Sequence, residues 1–229
     1  MSVKLISYSR AANSSSIHFS SDSRADITNL VSYCARVSNP SNQNNEETSK
    51  KLIKYLIKNK HWSPLEMVSV CLEIETTRDI ARQILRHRSF SFQEFSQRYA
   101  DPTKDLQFVT REARLQDSKN RQNSIELDDE SELHHAWKAK QELIIHESKM
   151  AYDWAIGNGI AKEQARAVLP EGLTMSRMYM NGTLRSWVHY IELRAGNGTQ
   201  KEHMDIAKDC AFEIAKVFPL LAEYRPVFE

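Results

Sequence analysis

Glycine is scarce in this sequence, and where it is missing excludes more than where it is present. Only six of 229 residues are glycine, and the first is Gly157. The first two-thirds of the chain therefore cannot hold a GxGxxG fingerprint or a Walker loop, since both need glycine for a tight turn and close phosphate approach. A nucleotide bound there must be held by side chains and helix ends. Cysteine is rarer still. Cys34, Cys71 and Cys210 lie far apart, form no CxxC pair and have apolar neighbours. They read as reduced, buried thiols of a cytosolic protein, with no disulfide frame and no metal site expected. Long apolar runs are absent, so nothing approaches the roughly 20 residues needed to span a bilayer. MSVKLISYSR carries no sustained apolar run of a signal peptide. A soluble, cytoplasmic protein with no membrane partner is expected. An excess of charge is missing as well: 31 Lys and Arg face 30 Asp and Glu, leaving +1. That argues against a general nucleic-acid coat, although a local basic site stays open.

What is present is an ordinary globular mixture, 41% hydrophobic and 27% charged, long enough for one domain over 1–229 with a core of its own. VKLISY (3–8) reads as a short strand. Residues 25–37 place Ile27, Leu30, Val31 and Cys34 on one helical face. SNPSNQNNEET is a loop, followed by a helix over KKLIKYLIKN. EMVSVCLEIE (66–75) alternates Val68, Val70, Leu72 and Ile74 with polar neighbours, a strand with one buried face. TTRDIARQILRHR reads as a helix begun by Thr76 or Thr77. Residues 101–128 form a polar excursion around a short strand at QFVT. A long helix from Ser131 to about Ile156 carries Leu133, Trp137, Leu143, Ile144, Met150 and Trp154. A short helix, KEQARAVL, ends at Pro170. LTMSRMYMN suits a strand, and TLRSWVHYIELR and QKEHMDIAKDCAFEIAKVF suit two closing helices. The fold class is α+β, helices outnumbering strands around a small antiparallel or mixed sheet, without a Rossmann domain.

Positive charge concentrates between Arg78 and Arg98, where five arginines face Asp79 and Glu94. Arginine's planar fork suits phosphate; a solvated basic helix face is the plainer alternative. Two features favour a site. Gln83, Arg86 and His87 at i, i+3 and i+4 would share a helix face. The stretch after them alternates Phe90 and Phe92 with Ser91, Gln93, Glu94, Ser96 and Arg98, a pattern that suits a binding wall better than a structural strand.

RHRSFSFQEFSQRY, with Arg86-His87-Arg88, seven residues and then Ser96, resembles the signature of the flavin-dependent thymidylate synthases, the ThyX family. Three further segments agree in order: HWSPLEM with His61, Ser63 and Glu66; ARAVLP with Arg166; and LRSWVHYIELR followed by TQKEH. The resemblance covers about residues 60 to 205. It departs where the usual Asn before Glu94 is Gln93, and where an Asn two residues before Arg185 is Thr183.

The resemblance implies an α+β homotetramer with FAD and dUMP sites at subunit junctions. It places Ser63, Arg86, His87, Arg88, Glu94, Arg185 and His189 on FAD, with His61 on flavin or folate. It places Gln83, Arg86, Glu94, Ser96, Arg98, Arg166 and Arg194 on dUMP. Arg194 would be the catalytic group, stabilising negative charge at N3 of the uracil ring so that C5 becomes the better nucleophile. A helix C-terminal cation favoured by the macrodipole accounts for Arg194 equally well. The reaction implied is methylation of dUMP to dTMP, with methylenetetrahydrofolate as carbon donor and NADPH as reductant through FAD. No cysteine lies where a nucleophile would be needed, and Ser96 has no dedicated base, so Ser96 reads as a dUMP ligand. A strand-tracking nucleic-acid module with stacking aromatics is the rival reading, weakened by the near-neutral charge and by Glu94 within the patch. Methylation of a uracil in RNA is a second rival, and the implied phosphate ligands Arg98 and Arg166 argue for the mononucleotide.

Overall fold

The alternating stretches pair into one sheet, and the helices cover a single side of it. The computed structural model describes residues 1–12, 17–19 and 27–223. Strands β1 (Ser2–Tyr8), β2 (Ser69–Thr77), β3 (Ser91–Glu94) and β6 (Met175–Thr183) run in the order β1-β2-β6-β3, antiparallel at every junction. Because successive side chains on a strand point to opposite faces, β2 turns Val70, Leu72, Ile74 and Thr76 into the core and Cys71, Glu73 and Glu75 outward. The outward face is polar: Arg177 donates to Glu75 at 2.6 and 2.8 Å, and Tyr179 Oη donates to Glu73 at 2.9 Å. Such one-sided solvation is the habit of antiparallel sheets.

Helices α1 (Ile27–Ala35), α2 (Ser49–Lys58), α3 (Arg78–Ile84), α7 (Leu184–Arg194) and α8 (Lys201–Ala215) supply the apolar faces that close the core. Trp187 on α7 is wholly buried and donates its indole N–H to the Val70 carbonyl at 2.9 Å, which satisfies the polar handle that a buried tryptophan brings. The remaining elements are α4 (Pro102–Asp105), the hairpin β4 (Arg114–Gln116) and β5 (Ser124–Glu126), α5 (Glu132–Gly157), α6 (Lys162–Ala165) and α9 (Leu220–Glu223).

Several expectations need correction. The helix expected over 76–88 holds only Arg78–Ile84, because Thr76 and Thr77 finish β2 and the chain must turn at Leu85 to enter β3. Gln83, Arg86 and His87 therefore do not share a helix face. The strand expected at QFVT is reduced to a single bridge between Phe108 and Thr174; the paired strands of that excursion are β4 and β5. The strand expected from Glu66 begins at Ser69, after a 3₁₀ turn over Ser63–Glu66. Cys210 is buried, but Cys34 and Cys71 are only half-buried, Cys71 because it falls on the outer face of β2. The first two residues of the helix expected over 25–37 lie outside the described residues. The long helix expected from Ser131 is present as α5 over Glu132–Gly157, and Ser131 is its cap, Oγ accepting from the His134 amide at 3.2 Å. Its large apolar side chains are not core, however: Leu133, Trp137, Leu143, Ile144, Met150 and Trp154 stand 44 to 65% exposed.

Candidate active site

Helix α7 is the hub, and the sequence explains how it is set. Thr183, the position that departs from the family pattern, is its N-cap, with Oγ1 accepting from the Ser186 amide at 3.3 Å. Its preceding residue, Gly182, has no side chain where the ring of Phe90 packs; a Cβ there would lie 2.4 Å from Phe90 Cδ1. Phe90 in turn sits 4.8 Å from Trp187 and 5.9 Å from Tyr190, ring centre to ring centre. Together with Ser186 Oγ, which donates to the Ser89 carbonyl at 3.2 Å, this pins the Arg86–Ser89 turn against α7. At 100° per residue, Tyr190 and Arg194 leave α7 on one side, while Arg185 and His189 leave on another.

On the Tyr190 side lies a buried polar chain. Arg194 donates Nε–H to His87 Nε2 at 3.0 Å, so that nitrogen is a lone pair and His87 is neutral. Burial first, and then the Arg194 and Arg86 charges, hold His87 below the usual histidine range. Among the described residues no carboxylate pairs with Arg194; its polar partner is an uncharged imidazole. His203 on α8, fully buried, lies 3.2 Å by Nδ1 from Gln83 Oε1 and 3.1 Å by Nε2 from Tyr190 Oη. Burial, with Arg194 and His87 adding to it, pushes His203 down to about 4. Gln83 donates Nε2–H to Gln200 Oε1 at 2.8 Å, and Gln200 donates Nε2–H to Glu202 at 2.9 Å. Arg114 of β4 closes the chain on Glu202.

The second region is the arginine edge, and the structure divides it. Arg78 and Arg82 are engaged by Glu94, at 3.7 and 3.1 Å, and Ser176 Oγ donates to the same carboxylate at 2.9 Å. Glu94 is thus held by its own chain. Asp79 is paired with Arg111 at 2.6 Å. Arg86 and Arg88 stand exposed in the turn, and no ion pair engages either among the described residues. Ser96 Oγ accepts from the Arg98 amide at 3.4 Å in a bend after β3, and Arg98 meets Glu163 at 3.5 Å with both side chains about half exposed. Arg166 is half-buried in the 3₁₀ turn Arg166–Val168 after α6, with no carboxylate against it among the described residues.

A third locus gathers the Arg185 side of α7 and the Ser63–Glu66 turn. Arg185 pairs with Glu66, and the His189 and Trp62 rings meet edge to face at 4.4 Å. His189 Nδ1 is 3.5 Å from Glu192. Ser63 opens the turn and is exposed; His61 is exposed beside Tyr55, at 6.0 Å. Residues implied for dUMP and for FAD thus fall on the arginine edge, the relay end of α7 and this turn, with α7 linking the last two.

Sequence reasoning passed over His203, Tyr190 and Gln200. The signal available was TQKEH, where Gln200, Glu202 and His203 follow Arg194 closely, but only the folded contacts connect them to Gln83. A cavity of about 760 Å³ borders the chain at Arg114 and Gln200, between the β4–β5 hairpin, Trp137 of α5 and Lys201; Arg194, Arg98 and Arg166 do not line it. No thiol is set up as a nucleophile, since burial raises Cys34, Cys71 and Cys210 alike. Among the described residues no cluster of His, Cys, Asp and Glu suits a metal ion, and no helix is long and apolar enough to cross a membrane.

Comparison with known proteins gives a consistent answer. Residues 21–220 match the family described as "Thymidylate synthase complementing protein". A flavin-dependent thymidylate synthase of Synechocystis is 49% identical over 194 residues, 84% of this chain and 86% of that protein. A protein of Paramecium bursaria Chlorella virus 1, named "Probable flavin-dependent thymidylate synthase", is also 49% identical over 194 residues, 85% of this chain and 88% of its own. The solved structure of a UMP/dUMP methylase, PolB of Streptomyces cacaoi with 5-Br dUMP, superposes at a TM-score of 0.76 over 97% of this chain and 93% of that one. At 24% identity that likeness speaks for the fold.

Proposed function

This chain belongs to the thymidylate synthase complementing protein family, the flavin-dependent thymidylate synthases, and from that premise we propose how its residues divide the work. The protein is an enzyme that methylates dUMP to dTMP, with methylenetetrahydrofolate as carbon donor and NADPH as reductant through FAD. The observation that carries the assignment of roles is Arg194. Its guanidinium is fixed by donating to a neutral His87 and faces no carboxylate among the described residues, so its positive charge remains for a ligand. A cation held in place before the reaction stabilises an anion as it develops, without reorganising. We read Arg194 as the group that stabilises negative charge on the uracil ring, which activates C5 without a cysteine nucleophile.

Exposed Arg98 and half-buried Arg166, with the Ser96 hydroxyl, supply forked and hydroxyl donors for the dUMP phosphate. Gln83 and Arg86 complete the nucleotide's side. Glu94, held by Arg78, Arg82 and Ser176, is better placed to fix the wall than to take up a second partner freely. The residues present fit a flavin: Trp62 and His189 make an aromatic edge beside Arg185 and Ser63, and Arg86, His87 and Arg88 offer donors for a diphosphate. His61, exposed beside Tyr55, is assigned to the flavin or folate side of this edge. When bound, FAD supplies the hydride that completes the methyl group.

We read the whole chain as one catalytic domain working in the cytosol as a homotetramer with sites at subunit junctions. The support is the apolar surface of α5, where Trp137, Ile144 and Trp154 are 44, 47 and 65% exposed, more than an isolated chain ordinarily leaves on one helix. Arg86, Arg88 and Arg166, without carboxylate partners among the described residues, suit a site completed by a neighbour. Light scattering on the purified protein tests this, and a monomer would end it.

The function is tested by measuring dTMP by chromatography with dUMP, methylenetetrahydrofolate, NADPH and FAD, omitting one at a time. Product only in the complete mixture is expected. FAD binding without dTMP would leave a flavoprotein with another substrate.

A further inference from the structure

The buried chain beneath Arg194 has a direction, and one charged group sets it. The Glu202 carboxylate, held by Arg114, can only accept hydrogen bonds. Gln200, 2.9 Å away, must therefore turn its amide nitrogen to Glu202 and its carbonyl to Gln83. Gln83 must then meet that carbonyl, at 2.8 Å, with its own nitrogen, which leaves Gln83 Oε1 pointing at His203. A carbonyl oxygen needs a donor, so the proton of a neutral His203 ring sits on Nδ1. The opposite nitrogen, Nε2, is then a lone pair and takes the Tyr190 hydroxyl proton at 3.1 Å. Every assignment follows from the one before, from Arg114 to Tyr190. His203 and Tyr190 are fully buried and Gln83 and Gln200 half-buried, so a reversed Gln83 amide would set its N–H donors against the His203 ring and lone pair against lone pair at Gln200.

The consequence falls on Gln83. Its carbonyl is turned toward His203 and one of its two amide hydrogens is given to Gln200, so its second N–H is the donor it has left to offer. We propose that His203 is a positioning residue, which as the Nδ1–H tautomer turns the Gln83 carbonyl inward so that Gln83 presents its second N–H to the nucleotide as a hydrogen-bond donor. Gln83 would thereby select an acceptor atom on the ligand, a carbonyl or a hydroxyl lone pair, over a donor in the same place. The proposal rests on the reading of Gln83 as a dUMP ligand. His203 itself need not touch the nucleotide.

The test is dUMP binding, measured by calorimetry on the FAD-loaded enzyme, with flavin content and melting temperature as controls for folding. Three variants separate the possibilities. His203→Leu deletes the donor to Gln83 and is expected to weaken dUMP on the order of 10-fold, the worth of one well-placed hydrogen bond. His203→Asn keeps an amide N–H where Nδ1 stood and is expected to recover most of that loss, although it cannot reach Tyr190 as the ring does. Tyr190→Phe preserves the packing, takes the donor away from the His203 Nε2 lone pair and so loosens the ring, and is expected to give a smaller loss in the same direction. A purely structural role for His203 would make Leu and Asn equally poor, or Leu the better, and would overturn the proposal. Should His203→Leu fail to fold, the Asn and Tyr190→Phe variants still decide it: unchanged binding in Tyr190→Phe with weakened binding in Asn would overturn it. Gln83→Ala separates the two layers. If it leaves dUMP affinity unchanged, the reading of Gln83 as a ligand is wrong. If it weakens dUMP while His203→Leu does not, the ligand stands and the positioning role of His203 is wrong.

Discussion

Two polar regions meet at Arg194 and are built on opposite rules. Beneath it, between α3, α7 and α8, polar atoms are buried or half-buried and matched one to one, from Tyr190 through His203, Gln83 and Gln200 to Glu202 and Arg114. Outward, Arg86 and Arg88 stand exposed and Arg166 half-buried with no carboxylate partner among the described residues, while Arg98 meets Glu163 loosely, at 3.5 Å between half-exposed side chains. The difference is one of tasks. A buried donor without its acceptor costs about 1–3 kcal/mol, so the inner region can hold a single arrangement and thereby orient what it touches. An exposed arginine remains hydrated and unpaired, so it attracts a phosphate without first having to leave another partner. Arg194 belongs to both, oriented by His87 and without a carboxylate partner among the described residues.

The sharpest way to break that comparison is Arg194→Ala. Removing a prearranged donor to a developing anion typically costs about 3 kcal/mol, or about 10²–10³ in turnover. The expected variant keeps its flavin absorbance and loses dTMP formation by that factor; normal turnover would show that Arg194 serves only as the helix-terminal cation. Next in size is the pH dependence of the inner region. His203, facing Tyr190, Gln83, His87 and Arg194, is held down to about 4 against an ordinary 6.5. The unfolded chain therefore binds more protons in that interval, and stability falls as pH falls from 6.5 through 4. The loss should reach roughly 3 kcal/mol, read as melting temperature against pH. His203→Asn should flatten the slope, leaving the smaller part due to His87, which is shifted in the same direction.

The outer region predicts a different response. Arg166→Ala should raise the KM for dUMP by about 2 kcal/mol, or roughly 30-fold, with little change in melting temperature, because no carboxylate among the described residues is left unpaired. Added salt should weaken dUMP binding in the parent more than in the variant, as screening acts on exposed charges. A KM unmoved by the substitution would remove Arg166 from the phosphate site.

How much of this was legible beforehand divides along the same line. The outer region could be read from sequence, since it depends on residue type and short spacing: Arg86-His87-Arg88, Ser96 and Arg98 lie within one short segment. The core face of β2 was legible for the same reason, as alternation records burial directly. The inner region was not, because Gln83 and His203 are 120 residues apart and meet only once β2 and β6 pair. Nor was the early end of α3, where local helical spacing gave way to the demand that Phe90 reach Trp187 and Tyr190. In α5 the apolar periodicity was real, but what it faces is not in this chain's core. Periodicity reports an apolar face without saying which surface covers it.

The smallest effects should come where neither rule applies fully. Gly182→Ala places a Cβ 2.4 Å from the Phe90 ring, and overpacking of this kind costs about 1–3 kcal/mol. The shift belongs in melting temperature, and also in the pinning of the Arg86–Ser89 turn; an unchanged melting point would show that Phe90 has room to move. Below that lies Arg177→Ala on the outer face of the sheet. Arg177 and Glu75 are well aligned at 2.6 Å, but their side chains are 40 and 26% exposed. Their pairing holds the Glu75 carboxyl below its usual range, with the hydrogen bond from Arg177 as the main cause. Water and salt nonetheless compete for both partners, and such pairs are worth about 0–1 kcal/mol. Denaturant unfolding of Arg177→Ala should therefore differ from the parent by less than about 1 kcal/mol. A loss of the size expected for the His203 titration would mean that alignment alone stabilises this fold, and that burial is not what separates the inner region from the rest.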